Sequence, residues 1–274
     1  MSVRQAGTAT GGRPISVRRV PLREIAAMRE AFRVEMDCQI VHDSIHDRPG
    51  WTLEYALAEG DSVVGYASLA VSGPWRNKPT FYELYVVPGR RERTYALFDA
   101  FLTATRPPAF EVQSNDLLTT AVALTVARDI ATERVVFRDY SVTSLELPGG
   151  TLRCVTPPKE IQAAIAERAG GGEWLLEVDG TVVGKGGILF HYNPPYGDIY
   201  MDTSEGFRRR GFGSYLVQEL KRLCYDLGAI PAARCDSTNV ASQRTLQKAG
   251  LIPYAHILIG SFREHPGASE QRDS

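Results

Sequence analysis

The sequence predicts an α/β chain made of two tandem copies of one unit. Strand and helix patterns run as far as Pro148-Gly149-Gly150, the best linker candidate, and then start again. Short sequences recur at matching places, Val63-Val64-Gly65 against Val182-Val183-Gly184 and Tyr85-Val86-Val87-Pro88 against residues 200–204. The length of 274 residues also suits about two domains. We therefore expect a disordered N-terminus, two domains and a flexible tail, at residues 1–14, 15–148, 151–264 and 265–274.

Alternating apolar residues and helical periodicity place the elements of the first copy. The expected strands are 15–18, 51–58, 63–71, 81–87, 110–113, 135–137 and 144–147, with a turn at Glu59-Gly60-Asp61. The expected helices are 22–36, 95–103 and 117–130.

The second copy repeats this order. A helix over 158–168, ended by Gly170-Gly171-Gly172, precedes a hairpin of 174–178 and 181–191 around Asp179-Gly180. A strand from Ile199, a helix over 214–227, a short strand over 232–236, a second helix and a last strand follow.

Residues 199–216 are the most informative stretch, because a strand, a glycine-containing loop and a helix succeed one another there. The loop holds Arg208-Arg209-Arg210 and Gly211-Phe212-Gly213. The first amides of a helix have no partner within it and carry the positive end of its dipole, so they bind phosphate groups. Glycines let the backbone approach such a group closely. The stretch predicts a pyrophosphate cradle, with an ordinary solvated loop as the alternative.

Two sequence blocks resemble those of the GNAT superfamily of N-acetyltransferases. Arg208-x-x-Gly211-x-Gly213 looks like the acyl-CoA pyrophosphate motif of that family, and Asn239 to Leu251 is similar to its second block, an Asn-led helix ending in Lys-x-Gly. The resemblance is specific over residues 173–260 and rests on pattern elsewhere. It implies two tandem domains, each a mixed, mostly antiparallel sheet flanked by helices.

The resemblance also implies a site for acetyl-CoA or another acyl-CoA as co-substrate. The backbone around Met201 and Thr203 would pair with the pantetheine arm and polarise the thioester carbonyl. The remaining implied contacts come from the loop and the second block, and are Arg208, Arg209, Arg210, Gly211, Phe212, Gly213, Ser214, Asn239 and Ser242. The first copy has no Gly-x-Gly in Gly89 to Thr94, so we expect a degenerate copy that supports the second or helps to bind its substrate.

Acyl transfer to an amine requires a group that takes the amine proton. Asp198, Tyr200 and Asp202 alternate along the strand and therefore share one face, which makes them the catalytic candidates. Asp198 and Asp202 are the first choices as base, with His191 behind them; solvated or hydrogen-bonded strand residues are the alternative. The family often has a tyrosine as general acid where this sequence has Leu246. The thiolate then leaves unassisted, or Tyr215 or Tyr254 serves; Cys235 is expected to be buried strand packing.

The acceptor is less defined by the sequence. The aromatic segment from His191 to Gly197 would suit a pocket wall for a small amine or a peptide N-terminus, or else a stiff turn around Pro194-Pro195. His42 and His46 are four residues apart, but we expect no metal site and assign them to a polar loop or helix end near a cleft.

Composition narrows the class of protein. The net charge is −1, which makes nucleic acid a poor partner, and no apolar run is long enough to span a bilayer. The four cysteines show no regular spacing and are expected to be buried free thiols in a cytoplasmic protein. The oligomeric state is left open.

Three functions fit these observations. The leading one is an acyl-CoA-dependent N-acetyltransferase in which the amine attacks directly. The second is a catalytically silent acyl-CoA-binding module, favoured by Leu246 and the degenerate first copy. The third, an unrelated nucleotide-phosphate binder, is disfavoured because the loop has no Gly-Lys-Ser/Thr.

Overall fold

The computed structural model of the chain describes residues 13–263 and divides into two compact units. Of the described residues, 13–37, 45–132 and 257–263 belong to the first unit, and 38–44 and 133–256 belong to the second. The disorder expected for residues 1–14 falls outside the described part of the chain except at Arg13 and Pro14, and the flexible tail expected at 265–274 lies outside it entirely.

The first unit alternates strands with helices that cover the sheet. Its elements are β1 (Ile15–Val20), α1 (Ala26–Met36), β2 (Thr52–Glu59), β3 (Ser62–Ala70), β4 (Thr80–Val86), α2 (Thr94–Thr105), β5 (Ala109–Gln113) and α3 (Leu117–Val126). Single-turn 3₁₀ segments occur at Leu22–Glu24 and Gly73–Trp75, and a longer one spans Pro88–Arg93.

Strands β1 to β4 form an antiparallel meander, and β4 then pairs in parallel with β5. The parallel ladder is short, with Thr80 opposite Ala109 and Phe81 opposite Phe110. Aromatic residues of α2 and the sheet, including Phe81, Phe98 and Phe101, form the core. Because the parallel ladder has only these two pairs, β4 and β5 separate shortly after they meet.

The second unit repeats this order further along the chain. The elements that follow α3 are β6 (Ala127–Asp139), β7 (Gly150–Cys154), α4 (Pro158–Glu167), β8 (Gly171–Val178), β9 (Thr181–Leu189), β10 (Tyr196–Thr203), α5 (Phe212–Asp226), β11 (Ile230–Asp236), α6 (Val240–Lys248) and β12 (Leu251–Phe262). Strands β7 to β10 are antiparallel, and β10 pairs in parallel with β11.

Helices α4 and α5 pack on one face of the β8–β10 sheet. The apolar stripe of α5 supplies Leu216, Val217 and Leu220 to a core that also holds Trp174 and Ile188. Because these side chains are buried, the helix-facing side of β10 is fixed by packing, and its other face is available for polar groups.

Each unit closes its sheet with a strand that is distant in sequence. In the first unit β5 pairs with the end of β12, with Ile257 opposite Gln113. In the second unit β11 pairs with the end of β6, with Ala233 opposite Phe137. The assignment to units accordingly changes inside β6 and inside β12. This division differs from the boundary expected at 148–151.

Three local expectations are wrong. The helix expected over 117–130 ends at Val126, and residues 127–139 form β6. Residues 144–147, expected to be a strand, have no regular secondary structure, and the expected linker residue Gly150 opens strand β7. The physical reason is pairing: β6 is held by β11 and β7 by β8, neither of which is its neighbour in the local pattern.

The cysteines only partly follow expectation. All four are free thiols; Cys38, Cys224 and Cys235 are buried, but Cys154, at the end of the edge strand β7, is exposed. The turn Asp179-Gly180 has positive φ at both positions, as the hairpin prediction requires.

Candidate acyl-CoA site

The loop before α5 has an unusual backbone. Arg209 has φ +60° and Gly211 has φ +87°, so two left-handed residues reverse the chain just before the helix begins at Phe212. Gly211 is the N-cap residue and has no side chain that could cap the helix. The amides of the first turn of α5, which include Phe212, Gly213 and Ser214, therefore lie where a helix presents unsatisfied donors.

Gly211 and Gly213 are needed for different reasons. A Cβ at Gly211 would have space, with Lys248 Nζ nearest at 4.0 Å, but its φ disfavours any L side chain. Gly213 is helical, and a Cβ there would lie 3.2 Å from both Thr203 Oγ1 and Thr245 Cγ2. Gly211 thus shapes the loop, whereas Gly213 allows the start of α5 to pack closely against β10 and α6.

The three arginines are held in different ways. Arg208 donates from Nε to the carbonyl oxygen of Thr203 at 3.2 Å. The guanidinium of Arg210 lies over the rings of Phe207 and Phe212, 5.7 and 5.0 Å from their centroids. Arg209, which lies between them in sequence, has a left-handed backbone conformation and is exposed. With Lys248 beside Gly211, four cations surround the start of α5.

Strand β10 loses one of its two neighbours before it ends. Its parallel ladder with β11 ends at Ile199 opposite Ala233, whereas its antiparallel ladder with β9 continues to Thr203. The edge of β10 from Tyr200 to Thr203 therefore points into a wedge between β10 and β11. Met201 and Thr203 face α5 in this segment.

Helix α6 closes the far side of the wedge. Asn239 caps it, with Oδ1 accepting from Ser242 N at 3.0 Å. Burial raises the pKa of the neighbouring Cys235 thiol, and a hydrogen bond with Ser242 opposes that shift. Leu246, where the family often has a tyrosine, is buried in the core. Asn239 and Ser242 thus stand at the start of α6, as the second block requires.

The opposite face of β10 carries the polar candidates. Tyr200 donates from its hydroxyl to Glu173 Oε2 of β8 at 3.0 Å, passing over Gly187 of β9. Burial and then the bond to Glu173 raise the pKa of Tyr200 to about 12. Lys185 Nζ lies 3.9 Å from the same carboxylate, and Asp202, two residues beyond Tyr200, is exposed.

Asp198 is buried and held by two partners. Its Oδ2 lies 3.0 Å from His191 Nε2 and 3.4 Å from Arg234 Nε. Burial and the nearby Asp198 carboxylate raise the pKa of Tyr192 well above its usual range. Asp198, His191 and Arg234 form one ionic cluster below the wedge, and Asp202 lies outside it.

A segment from the first half of the sequence fixes the aromatic loop of the second unit. Asn193 Oδ1 accepts from Ile40 N, and its Nδ2 donates to the carbonyl oxygen of Cys38 at 3.1 Å. Gln39 donates to the carbonyl oxygen of Phe137 at 3.1 Å, and Arg168 forms an ion pair with buried Asp43. Residues 38–44 therefore hold the loop at 191–196 in place.

The first unit has the same framework with different contents. Glu54, Ser68 and Glu83 form a cross-strand row at the positions that Glu173, Gly187 and Tyr200 occupy in the second unit. In each unit the first glutamate of the row lies three residues before an equivalent bulge, which is at Leu57/Ala58 in the first unit and at Leu176/Glu177 in the second.

The row of the first unit is sealed. Glu83 is 2% exposed and accepts from Tyr66 at 2.6 Å and from Arg29 at 3.3 Å. His46 contacts both Glu54, at 2.9 Å, and Glu83, at 3.3 Å. His46, which we expected in a polar loop near a cleft, is therefore buried in an ionic network.

The wedge of the first unit is also filled. Thr119, in the first turn of α3, accepts from Leu84 N and donates to Leu84 O, both at 3.1 Å. Leu84 corresponds to Met201, since each pairs with the same position of the preceding strand. The backbone groups that a pantetheine arm would use are taken up by this side chain.

Several site residues escaped the sequence analysis. Glu173, Lys185 and Arg234 come from strands other than β10, and nothing in their local sequence marks them. Lys248 lies within the second block, but the sequence pattern alone assigns it no contact with a bound co-substrate. Among residues 13–263, no group of three or more His, Cys, Asp or Glu is arranged to hold a metal, and no helix is long and apolar enough to cross a membrane.

Comparison with known proteins supports the interpretation of these motifs. Residues 141–251 match the model of the Acetyltransferase (GNAT) family. The sequence matched no curated protein. Among solved structures, a GNAT-family acetyltransferase from Colwellia psychrerythraea superposes with a TM-score of 0.69 at 14% identity, over 90% of this chain and 99% of that one.

Two further structures share the architecture. A tandem GNAT protein from the clavulanic acid biosynthesis pathway gives a TM-score of 0.56 at 15% identity, over 89% of this chain and 97% of that one. A GCN5-related N-acetyltransferase from Sphaerobacter thermophilus gives 0.53 at 16% identity, over 89% and 94%. At these identities the likeness shows the fold, which is the tandem α/β fold that the sequence predicted.

Proposed function

Because residues 141–251 match the GNAT family model and the chain shares the fold of solved tandem GNAT structures, we propose that its second unit transfers an acetyl group from acetyl-CoA to a primary amine. The observation that carries the proposal is the wedge between β10 and β11, which opens beside the left-handed loop and free amides at the start of α5. A phosphate-bearing thioester needs both features, one for its pyrophosphate and one for its amide-containing arm.

The residues present fit an acyl-CoA. Arg208, Arg209 and Arg210, with the first-turn amides from Gly211 to Ser214, would hold the pyrophosphate. The backbone of Met201 and Thr203 would pair with the pantetheine arm, because the ladder between β10 and β11 ends at Ile199. Asn239 and Ser242 would contact the co-substrate from the start of α6. The bound thioester would supply the electrophilic carbonyl.

The chain's own groups would orient the amine and take its proton. The backbone of Tyr200 is the first beyond the last β10–β11 pair, and its side chain extends over β9 to Glu173. Asp198, Asp202 and His191 remain candidates for the base, although Asp198 already has two partners. Backbone amides at the wedge would stabilise the negative charge that develops on the carbonyl oxygen.

The acceptor class is part of the proposal. The aromatic loop at 191–196 is fixed by residues 38–44 and would form one wall of the acceptor site. We expect the primary amine of a small molecule or of a peptide N-terminus, and no nucleic acid or membrane partner. The cytoplasmic location expected from the sequence stays a prediction.

Thiol release from acetyl-CoA tests the function. The protein would be incubated with a panel of amines and short peptides while acetyl-CoA affinity is measured by calorimetry. Release that depends on an amine is the expected result. Tight binding without release across the panel would favour the silent acyl-CoA-binding module, for which buried Leu246 is the supporting observation. No binding would overturn both.

A further inference from the structure

An ion pair joins the two strands at the apex of the wedge. The last β10–β11 pair is Ile199 opposite Ala233, so Arg234 is the first residue of β11 that borders the wedge. Asp198 lies one residue before that pair on β10, and its Oδ2 is 3.4 Å from Arg234 Nε. The contact therefore spans β10 and β11 at the point where they separate.

This ion pair lies on the side of the sheet away from α5. Ile199 and Ala233 belong to the core that α5 covers. Because successive side chains of a strand point to opposite faces, Asp198 and Arg234 lie on the other face. Asp198 is opposite Ala232, and Arg234 is two residues beyond Ala232, so their contact crosses the last ladder pair diagonally. A group that left the apex on this face would meet the ion pair.

The aromatic loop before β10 holds Arg234 in this position. Nη2 of Arg234 is 3.2 Å from His191 Nε2, and its guanidinium carbon lies 6.0 Å from the centre of the Tyr192 ring. The side chain of Asp198 is 7% exposed, whereas that of Arg234 is 32% exposed. The guanidinium therefore lies on the solvent side of the carboxylate and forms a charged cover over the apex.

The first unit has a charged residue at the corresponding place. Its parallel ladder ends at Phe81 opposite Phe110, so Glu111 is the first residue of β5 beyond it. Glu111 accepts from Trp75 Nε1 at 2.8 Å. Trp75 precedes β4 as His191 precedes β10. In both units a residue from the preceding loop thus fixes an ionic side chain at the end of the parallel ladder.

The proposed binding mode directs the acyl group to this apex. The pyrophosphate would lie at the start of α5, beyond Thr203, and the pantetheine arm would run along the free edge of β10. The acyl group is at the other end of the arm, toward Ile199, where the ladder closes the wedge. A longer chain would have to turn toward α5, where Leu246 is buried in the core, or toward Asp198 and Arg234.

We propose that the ion pair of Asp198 and Arg234 limits the acyl group to acetyl, which makes Arg234 a specificity-determining residue. The inference rests on the proposed acetyl transfer. Methylene groups pressed against the pair would remove polar contacts from the two charges and offer none in return. The side toward α5 is closed by close-packed apolar side chains, whereas the other side is closed by one partly exposed arginine. Loss of the arginine side chain therefore opens a path from the apex to solvent.

The affinities of acetyl-, butyryl- and hexanoyl-CoA, measured by calorimetry, test this assignment without knowledge of the acceptor. The parent should bind butyryl-CoA at least about 10-fold more weakly than acetyl-CoA, the lower end of the range for a poorly accommodated methylene group. Arg234→Ala should reduce that difference to about threefold or less while acetyl-CoA affinity stays within about twofold. Asp198→Asn combined with Arg234→Ala should do the same, and it leaves no buried carboxylate without its partner if the single variant folds poorly.

Arg138→Ala is the matched control. Arg138 lies on β6, beside β11, with its guanidinium 4.4 Å from the centre of the Tyr254 ring, so its loss should leave the preference for acetyl-CoA unchanged. Leu246→Ala, which makes room on the side toward α5, should also leave it unchanged.

Three results would overturn the proposal: equal affinity of the parent for all three thioesters, a parental preference in both Arg234 variants, or admission of the longer chains by Leu246→Ala instead. A parent that bound none of the three would overturn the proposed function itself, which separates the two failures.

Discussion

The two units place equivalent elements around equivalent wedges, but the strand edge at the wedge is closed in the first unit and open in the second. In the first unit the capped start of α3 carries Thr119, which satisfies both backbone groups of Leu84. In the second unit the capped start of α6 carries Ser242, which contacts Cys235, and the edge of β10 stays exposed to the wedge. One hydroxyl-bearing residue at the same place, three positions after the helix cap, thus accompanies a closed strand edge in one unit and an open one in the other.

The polar rows differ in the same way. Arg29, Tyr66 and His46 enclose Glu83, whereas Tyr200 and Glu173 face outward from their sheet. Burial alone raises the pKa of Glu83, but the charges of Arg29 and His46 outweigh it and hold that pKa well below its usual range. The same framework therefore holds a buried ionic network in the first unit and a partly exposed tyrosine–carboxylate pair in the second.

The largest effect should come from Glu83→Gln, which leaves buried Arg29 without its charge partner. We expect a loss of about 3–5 kcal/mol in the free energy of unfolding, measured by urea denaturation at pH 7. Because the folded pKa is depressed, this contribution is present above the unfolded value and is lost as pH falls below about 4.5. Glu173→Gln should change stability by less than about 0.5 kcal/mol, and equal losses in the two variants would refute the contrast.

Asp116→Asn tests the helix cap of the first unit, since Asn239 already caps the equivalent helix of the second. Burial raises the pKa of Asp116 to about 7, against the hydrogen bonds from Thr119 that lower it. A raised folded pKa makes the parent lose stability as pH rises from about 4 to about 7. The variant, which does not titrate, should gain on the parent by on the order of 3 kcal/mol across that window. Denaturation curves at pH 4, 5.5 and 7 would show it, and a constant difference would contradict the assignment.

Gly211→Val and Gly89→Val form a matched pair in the two loops. Gly211 has φ +87°, which valine tolerates poorly, whereas a Cβ at Gly89 meets nothing within 4 Å. We expect Gly211→Val to weaken acetyl-CoA binding by about 100-fold and Gly89→Val to leave it unchanged, both by calorimetry. Equal affinity in the two variants would remove the cradle from the second unit.

The smallest contrast involves Thr119→Ala and Ser242→Ala. Thr119→Ala should cost about 1–2 kcal/mol of stability, because Leu84 loses two hydrogen bonds in a buried place. It should leave acetyl-CoA affinity unchanged. Ser242→Ala should cost less stability but weaken acetyl-CoA binding several-fold. Thermal unfolding and calorimetry on both variants would check this pattern. If Thr119→Ala weakened acetyl-CoA binding and Ser242→Ala mainly lowered stability, the roles assigned to the two helix starts would be wrong.

Much of the fold could be predicted from local sequence. The alternation around Ile199 placed β10, and the apolar stripe of Leu216, Val217 and Leu220 placed α5, because each pattern comes from the face that the element buries. The end of α3 was missed because Ala127 and Ile130 continue its apolar residues at helical spacing. Their strand conformation belongs to β6, which is held through pairing with residues far along the chain.

The residues of the candidate site likewise fall into those that local sequence predicts and those that it does not. Gly211 and Gly213 can be recognised from the sequence alone, because a backbone that must approach a phosphate closely requires glycine over a short span. Glu173 and Arg234 could not be found in this way. Their positions follow from cross-strand register, so only the assembled sheet shows that Glu173 lies next to Tyr200 and Arg234 next to Asp198.

The late pairing of β5 has a consequence for how the protein is made. Gln113 emerges from the ribosome long before Ile257, its partner in the finished sheet. In the nascent first unit this edge of the sheet therefore stays uncovered until Ile257 has been translated. An open sheet edge is a template for pairing with other chains, so we expect a chain truncated before Ile257 to aggregate more readily than one that includes β12.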